Sequence, residues 1–377
     1  MTDECFRIAL VPGDGIGVDV ASAARAVMDA ACGRVGGLQL EFDNVRAGAA
    51  CFYETGTDVE PGGEERLGAA DAIFLGAIGL PQIRHGDGTE ISPHLRWRER
   101  FGLYAGVHPV RAFENVPLRL RDPAAAGIDL VILRESTEGL FWSAAVHGRS
   151  PVENDDEVRD VLRITRKTSE KIHDFAFRLA RRRKTKGKPG RVTCVDKANV
   201  FASMAFFRKI FNERRTAFED VAAGYAYVDA AALDLLRRPW DFDVMVMENM
   251  FGDILSDLAG GLVGGMGMAP CAEIGDDHGL FQPAHGSAPD IVGRDLANPV
   301  AAVLSSAMML DWLAERSGSE RAVLAARLIE LSVEEGFRRN ALRPAELGGP
   351  MGTRAMVAAL LDLVGEIPLQ DCLHEGK

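Results

Sequence analysis

The sequence predicts an α/β fold, because short apolar segments typical of strands alternate with longer segments of helical periodicity. The chain has 377 residues, which is long for a single hydrophobic core and predicts two lobes. Hydrophobic residues make up 47% of the chain and charged residues 26%, as in folded globular proteins rather than disordered ones.

The first predicted strand runs into a glycine-rich turn and then a helix, and the alternation continues along the chain. Helices dominate the last quarter. In chain order, we predict strand 6–11, helix 19–31, strands 72–76 and 128–133, helix 159–183, strands 191–195, 222–228 and 244–247, and mainly helices after residue 299.

Polar side chains follow several of these strands at the point where each strand ends. In α/β folds, groups that follow the carboxyl ends of strands line the ligand crevice. The sequence therefore predicts a ligand site built from such residues: Arg134, Glu135, Lys197, Asn199, Asp229, Glu248 and Asn249.

Two carboxylates, Asp253 and Asp257, are four residues apart and therefore lie on one face of a helix. Like charges this close need a cation or solvent beside them, and Mg²⁺ prefers carboxylate oxygens of this kind. Lys197 follows a strand, and a lysine near a metal can have its pKa lowered enough to act as a base. Taken singly, a solvated helix face and a surface lysine remain alternative interpretations.

Two segments contain closely spaced glycine or other small residues. Residues 12–17 have a G-x-G-x-G spacing, which is not the G-x-G-x-x-G of a dinucleotide fingerprint, so we do not predict a Rossmann fold. Residues 285–290 form a compact polar turn where a flat ligand can approach the backbone, and the acid Asp290 can accept hydrogen bonds from ribose hydroxyls. A plain loop is the alternative interpretation of this turn.

Charge and cysteine content exclude several classes of protein. The net charge of −12 disfavours nucleic acid as a partner, since phosphate binding needs clustered Lys and Arg. No stretch is long and apolar enough to predict a membrane span, and no secretory leader is visible. The six scattered cysteines contain no CxxC pair, which predicts reduced thiols in a cytoplasmic protein.

Taken together, these motifs resemble the β-decarboxylating dehydrogenases, the family of 3-isopropylmalate, isocitrate, homoisocitrate and tartrate/D-malate dehydrogenases. The resemblance implies a two-lobed α/β fold that is not a Rossmann fold. A large cofactor-binding lobe would comprise residues 1–105 and 264–377, and a small lobe, 106–263, would carry the metal carboxylates and the homodimer interface. The matching segments extend over nearly the whole chain: 10–17, 196–200, 227–230, 249–257, 285–290 and 298–299.

The resemblance also implies a role for each motif. Asp253 and Asp257 of one subunit, with the partner subunit's Asp229, are expected to hold Mg²⁺ or Mn²⁺. Lys197 is expected to reach into the partner's site, where Lys197 and Asp229 take the proton of the substrate hydroxyl. The cofactor is expected to lie along His285, Gly286, Ser287, Ala288, Pro289, Asp290, Ile291 and Asn298.

Asp290 predicts NAD rather than NADP, because a carboxylate accepts hydrogen bonds from ribose hydroxyls and repels a 2′-phosphate. The NADP-using isocitrate enzymes resemble Lys-Tyr where this chain has Asp290 and Ile291. The implied reaction is metal-assisted oxidation of a 2-hydroxy di- or tricarboxylic acid. The resulting ketone can then lose its neighbouring carboxylate as carbon dioxide.

This sequence departs from the family pattern at two positions. Arg98 and Arg134 match two of the three arginines that clamp the substrate carboxylates, but His108 replaces the remaining arginine with a smaller, titratable group. Phe141 replaces the tyrosine implied to protonate the enolate after carbon dioxide leaves. We therefore expect decarboxylation to be slow or absent, unless water or His108 supplies that proton.

The segment just before Arg98 is implied to select the substrate, and here it is polar. Burying His94 and Arg96 against an alkyl group would be costly, so a malate- or tartrate-like acid with a polar or anionic substituent is favoured over isopropylmalate. A true 3-isopropylmalate dehydrogenase and a catalytically silent NAD-binding paralogue remain alternatives. The full set of predicted substrate-binding residues is Ser92, His94, Arg96, Arg98, His108, Arg134, Phe141 and Asn199.

Overall fold

The computed structural model describes residues 4–144 and 152–373, and within them the strands and helices alternate. The strands are β1 (Glu4–Gly13), β2 (Leu38–Asn44), β3 (Ala72–Ala77), β4 (Ala105–Arg111), β5 (Asp129–Glu135), β6 (Val152–Glu153), β7 (Val158–Arg159), β8 (Arg191–Asp196), β9 (Ala222–Tyr227), β10 (Val244–Met247), β11 (Pro270–Ile274) and β12 (Gly279–Pro283). The helices are α1 (Gly17–Val35), α2 (Ala49–Thr55), α3 (Gly63–Ala69), α4 (Pro93–Arg100), α5 (Phe141–Ala144), α6 (Arg166–Thr185), α7 (Ala202–Arg215), α8 (Val228–Arg237), α9 (Asn249–Leu262), α10 (Val300–Ser317), α11 (Glu320–Arg338) and α12 (Thr353–Glu366).

Ten strands form one mixed sheet in the order β2-β1-β3-β12-β11-β4-β5-β10-β8-β9. The strands pair in parallel towards both edges, whereas β11 is antiparallel to β12 and β4, and β4 is antiparallel to β5. One half of the sheet comes from the two ends of the chain and the other half from residues 105–247. The two halves meet where β11 pairs with β4, and the division of the chain into two lobes stays a prediction.

Helical periodicity explains how α1 packs against the sheet. Val20, Ala24, Val27, Met28 and Ala31 recur at helical spacing and are all buried in the largest core cluster. The same cluster contains apolar residues of α10, α11 and α12, and these carboxyl-terminal helices pack against α1. A second cluster beneath α8 and α9 covers β5 and β10.

The predicted helix 159–183 is wrong at its start. Residues 158–159 form β7, and the helix begins at Arg166. The Thr165 side chain accepts a hydrogen bond from the backbone N–H of Thr168, so an N-cap sets this boundary. The predicted strands 72–76, 128–133, 191–195 and 244–247 are confirmed to within two residues at each end.

The glycine-rich segment at the end of β1 connects β1 to α2 and to the loop after β3 through hydrogen bonds. The buried Asp14 carboxylate accepts three backbone hydrogen bonds of 2.8 Å, from Ala49, Ala50 and Gly79. A Cβ on Gly13, whose φ is +73°, would lie 1.8 Å from the carbonyl oxygen of Ala77, so no larger residue fits there. Close packing and capping therefore account for these glycines, in agreement with the rejection of a dinucleotide fingerprint.

Among the described residues, the helices are all too short or too polar to cross a lipid bilayer.

His173 is fully buried between α6 and α7, with its Nε2 3.2 Å from the carbonyl oxygen of Phe207. Burial lowers the pKa of His173 to about 3, so the folded protein keeps the ring uncharged. The unfolded chain takes up this proton below a pH of about 6.5, so the free energy of unfolding falls as the pH drops from there towards 3.

We predict that His173→Phe flattens this pH dependence. Between pH 6 and pH 4.5, the free energy of unfolding should fall less steeply in the variant, by up to about 1.4 kcal/mol per pH unit. Urea unfolding across this range measures the slope. A slope equal to that of the unsubstituted protein would contradict the assignment.

Candidate active site

A cavity of about 200 Å³ lies where the two halves of the sheet meet, and we refer to it as the central cavity. Charged and polar side chains from both halves converge on it, together with a few apolar ones. Its lining includes Leu75, Ile78, His94, Arg98, His108, Arg134, Asp253, Ser256, Asp257, Cys271, Gln282, His285 and Gly286.

The orientation of α4 decides which of its residues face the central cavity. Trp97 is fully buried, and its indole N–H donates to Glu64 at 3.2 Å. His94 and Arg98, four residues apart, line the cavity.

Arg96 lies outside the central cavity, contrary to its predicted role in substrate binding. Its guanidinium pairs with Asp58 at 2.9 Å and with Glu64 at 2.6 Å. Two residues along a helix correspond to a rotation of about 200°, so Arg96 and Arg98 point in nearly opposite directions. Ser92, the N-cap residue of α4, also lies outside the cavity lining.

Arg98 is held by a carboxylate from within the protein. One of its terminal nitrogens lies 2.7 Å from Oε1 of Glu273 on β11. The Arg98 side chain is 9% exposed and that of Glu273 is 1% exposed, so this ion pair is buried.

Three residues contact the guanidinium of Arg134, which lies at the end of β5. Its Nε donates to Oδ1 of Asn249 at 2.8 Å, and its terminal nitrogen pairs with Asp253. Its guanidinium carbon lies 4.9 Å from the centre of the Phe141 ring. Phe141 therefore lies beside the cavity and packs on Arg134, in the place where a tyrosine was expected.

Asp253 and Asp257 project from α9 into the central cavity. Burial raises the pKa of Asp257, and the negative charge of Asp253 raises it further, while Arg134 acts in the opposite direction. The pair would therefore be stabilised by a cation, and its oxygens suit a hard divalent ion. In the described part of this single chain, no third His, Cys, Asp or Glu completes a metal-binding group.

Lys197 and Asp229 lie together but outside the central cavity. Their charged atoms are 2.6 Å apart, and the hydrogen bond from Lys197 is the main cause that lowers the pKa of Asp229. The Asp229 side chain is 68% exposed, and Asn199 is exposed as well. These predicted residues therefore form a second group at the protein surface.

Two histidines give the cavity neutral polar groups. His108 is buried, with Nε2 3.9 Å from the Cys271 sulfur, and Nδ1 of His94 is buried without a hydrogen-bond partner in the described chain. Burial, together with the charges of Arg98 and Arg134, lowers the pKa of each histidine to about 3. Both rings are therefore uncharged at neutral pH.

The loop predicted to bind the cofactor borders the same cavity through His285 and Gly286. Nδ1 of His285 lies 2.9 Å from the Gly286 carbonyl oxygen, whereas its buried Nε2 has no partner among the described residues. Ser287 anchors the loop by donating to the carbonyl of Gly79, and its own carbonyl accepts from Ile16 at 2.8 Å. An anchored loop with an unpaired ring nitrogen suits a polar, flat ligand such as a nucleotide.

The remaining residues of this segment differ in exposure. Pro289 and Asp290 are exposed, and Pro289–Ile291 form one 3₁₀ turn after Ala288, whose φ is +37°. Asn298 is buried, where its amide donates to Glu346 at 2.9 Å and its oxygen accepts from the N–H of Val300 at 3.2 Å. Asn298 therefore anchors the end of the segment, while Asp290 presents its carboxylate to the surface.

A family model described as "Isocitrate/isopropylmalate dehydrogenase" matches residues 7–360. The chain is 38% identical over 362 residues to the 3-isopropylmalate/3-methylmalate dehydrogenase of Methanocaldococcus jannaschii, covering 96% of this chain and 99% of the relative. It is also 38% identical over 363 residues to the isocitrate/homoisocitrate dehydrogenase of Thermus thermophilus, covering 95% and 98%. This chain belongs to the isocitrate/isopropylmalate dehydrogenase family.

Solved structures agree with this membership. The isocitrate dehydrogenase of Methylococcus capsulatus superposes with a TM-score of 0.81 at 34% identity, covering 95% of this chain and 99% of that one. A β-decarboxylating dehydrogenase of Thermococcus kodakarensis gives a TM-score of 0.75 at 33% identity, covering 96% of each chain. The predicted family and fold class are confirmed, and the chain is an enzyme that oxidises a hydroxy acid.

Several residues that line the central cavity, or that hold one of its arginines, were not predicted from the sequence. Glu273 was missed, although one acid within the otherwise apolar segment 268–274 is an unusual pattern that could have singled it out. Cys271, Gln282 and Ser256 also line the cavity but carry no distinctive sequence signal.

We predict that Arg98→Ala and Arg96→Ala have very different effects on catalysis. Loss of Arg98 removes a carboxylate-binding cation and leaves Glu273 buried without a counterion, so KM should rise by about a hundredfold. Arg96→Ala removes an ion pair outside the cavity and should change KM by less than about threefold. Steady-state kinetics on the best hydroxy acid measures both, and equal losses in the two variants would contradict this placement.

Proposed function

We propose that this protein catalyses the NAD-dependent and divalent-metal-dependent oxidation of a 2-hydroxy di- or tricarboxylic acid. The observation that carries the proposal is the convergence of Arg98, Arg134, Asp253 and Asp257 on one cavity that also borders the His285 loop. Two arginines suit the carboxylates of such an acid. Two acidic residues beside them suit a Mg²⁺ or Mn²⁺ ion that would also hold the substrate.

Different residues of the chain would carry out substrate binding, metal binding and proton transfer. Arg98 and Arg134 bind and orient the substrate carboxylates through their guanidinium donors. A divalent ion on Asp253 and Asp257, when bound, would supply Lewis-acid polarisation of the substrate hydroxyl. Lys197 and Asp229, whose charged atoms are 2.6 Å apart, would take the hydroxyl proton in the partner subunit's site, and bound NAD would supply the hydride acceptor for oxidation of C2 to a ketone.

A homodimer with shared active sites is part of the proposal. Lys197 and Asp229 lie outside the cavity of their own chain, and α8, α9 and the residue before α7 expose apolar side chains that include Leu233, Ile254 and Phe201. Pairing two such surfaces would bury these side chains. It would also bring the partner subunit's Asp229 and Lys197 towards Asp253 and Asp257, so that the metal set gains a third carboxylate.

The part of the cavity lined by His94 and His108, which would face the substituent of the substrate, favours a malate- or tartrate-like acid. His94 and His108 present ring nitrogens there, and Nδ1 of His94 would stay without a partner beside an alkyl group. Leu75 and Ile78 also line the cavity, and several relatives 35–39% identical to this chain are named 3-isopropylmalate dehydrogenase. Oxidation of 3-isopropylmalate itself is therefore the second candidate. A catalytically silent paralogue would not need the retained Lys197, Asp229, Asp253 and Asp257.

The proposed compartment is the cytoplasm. All six cysteines are free thiols, and five of them are buried. An enzyme whose cysteines are free thiols suits a reducing compartment, where NAD-linked metabolism also takes place.

We predict Mg²⁺- or Mn²⁺-dependent formation of NADH from malate, tartrate or a substituted malate, and little NADPH from NADP. The measurement is the absorbance of the NADH or NADPH formed with each substrate of a panel that includes isocitrate and 3-isopropylmalate. Each reaction is run with and without a metal chelator. Substitution of Asp290 by Lys should weaken the preference for NAD over NADP. Absence of NADH from every hydroxy acid, with no metal-dependent thermal shift, would support the silent paralogue instead.

Mixing the subunits of two inactive variants tests whether the active site is shared between subunits, with the same NADH assay. Lys197→Met and Asp253→Asn should each inactivate the homodimer, but a mixed dimer regains one intact site. An equal mixture should therefore recover about a quarter of wild-type activity, since half of the dimers are mixed and each has one working site. Recovery of no activity would exclude shared sites while leaving the oxidation itself tested by the panel.

We predict less than one carbon dioxide per NADH, because Phe141 cannot donate a proton to an enolate. Parallel measurement of NADH and carbon dioxide gives this ratio directly. Phe141→Tyr restores a hydroxyl beside Arg134 and should raise the ratio, whereas Phe141→Leu is a matched control that should not. A stoichiometric yield from the unsubstituted enzyme would contradict the prediction.

A further inference from the structure

Glu273 is a buried carboxylate on β11 that lies against the guanidinium of Arg98. On the sheet, Glu273 of β11 pairs in register with Gly106 of β4, and Gly106 pairs with Arg134 of β5. Residues paired in register point to the same face, so Glu273 shares a face with Arg134. Glu273 does not line the central cavity itself, so it acts on a ligand there through Arg98.

The residues around Glu273 leave room for its carboxylate, but apart from Arg98 they do little to compensate its negative charge. A Cβ on Gly106 would lie 3.3 Å from Oε2 of Glu273 and 2.7 Å from the Ser136 hydroxyl, so the glycine leaves this space open. Neither Glu273 oxygen accepts a hydrogen bond of good geometry within the described residues. The charge of Arg98, 2.7 Å away, is therefore the main compensation for this buried anion.

This pairing limits the positive charge that remains for a substrate. Arg98 and Arg134 are the arginines that line the central cavity within the described chain, and Glu273 cancels one of their two charges. His108 and His94 are uncharged and add none. Asp253 and Asp257, with a divalent ion, contribute no excess of positive charge. About one net positive charge therefore remains for the ligand. The two carboxylates of a dicarboxylate already exceed it, and the third carboxylate of a tricarboxylate would add a further buried charge without compensation.

We propose that Glu273 is a positioning residue that acts through Arg98 to select dicarboxylates with an uncharged third substituent over tricarboxylates. This selection rests on the proposed hydroxy-acid oxidation and narrows its substrate class. It replaces the wider expectation from the sequence, which allowed an anionic substituent.

The test compares a dicarboxylate, malate or tartrate, with a tricarboxylate, isocitrate, in the metal- and NAD-supplied dimer. The unsubstituted enzyme should have the lower KM for the dicarboxylate. Glu273→Gln keeps the side-chain shape but frees the charge of Arg98, so the KM ratio should shift towards the tricarboxylate by about tenfold or more. The kcat on the dicarboxylate should change by less than about threefold, because the reacting atoms are not touched.

Two further variants separate selection from folding. Glu273→Asp keeps the negative charge and should retain the wild-type preference, which a purely structural role of side-chain length would not preserve. Glu330→Gln removes a partly buried carboxylate of α11 outside the central cavity and should leave the KM ratio unchanged. Thermal unfolding of each variant identifies any that fails to fold.

Wild-type binding alone can overturn the proposal, whatever the variants do. Calorimetric titration of malate and isocitrate into the Mg²⁺-loaded enzyme should show tighter binding of malate. Equal or tighter binding of isocitrate, or a Glu273→Gln ratio within twofold of wild type, would contradict a role for Glu273 in selection. Absence of NADH from all substrates would instead contradict the proposed function, while the titration still reports the charge preference.

Discussion

Compensation of buried charge is the constraint on which the arrangement of the central cavity depends. Two arginines lie close together in a space largely removed from water, and each has a carboxylate against it: Glu273 beside Arg98 and Asp253 beside Arg134. The cost of burying either cation alone would be several kcal/mol, so the partners are needed before any ligand binds. The two pairs differ, because Glu273 is enclosed by the sheet whereas Asp253 faces the cavity and is available to a metal ion.

The sequence predicted the fold class and most elements that have a simple repeating pattern. The apolar strands before Arg134 and Glu248 and the helix after Gly17 were recognised because their burial is continuous or helical in period. The strands β4, β11 and β12 were missed because each contains a proline, at Pro109, Pro270 or Pro283, which argues against a strand. They lie at the centre of the sheet and carry His108, Cys271 and Gln282, so missing them also concealed part of the cavity.

Many of the site residues predicted from sequence motifs lie close together in the structure, while their roles stay predictions. His94, Arg98, Arg134, Asp253, Asp257 and His285 all reach one cavity, and Lys197 lies against Asp229. Arg96 was misplaced because the phase of a helix is set by tertiary packing, here the burial of Trp97. Glu273 was missed because its partner lies 175 positions away in the chain, and no local pattern connects a strand acid with a helix arginine.

The pairing of β11 with β4 has a mechanical consequence. These strands share a register of three residue pairs, Ala272–Val107, Glu273–Gly106 and Ile274–Ala105, and the seam they form is where the two halves of the sheet join. Any change in the angle between the halves must twist this seam, because it is a hydrogen-bonded ladder rather than a flexible linker. Arg98 stands on one side and Arg134 on the other, so a ligand that grips both acts as a cross-link that stiffens the enzyme against that twist.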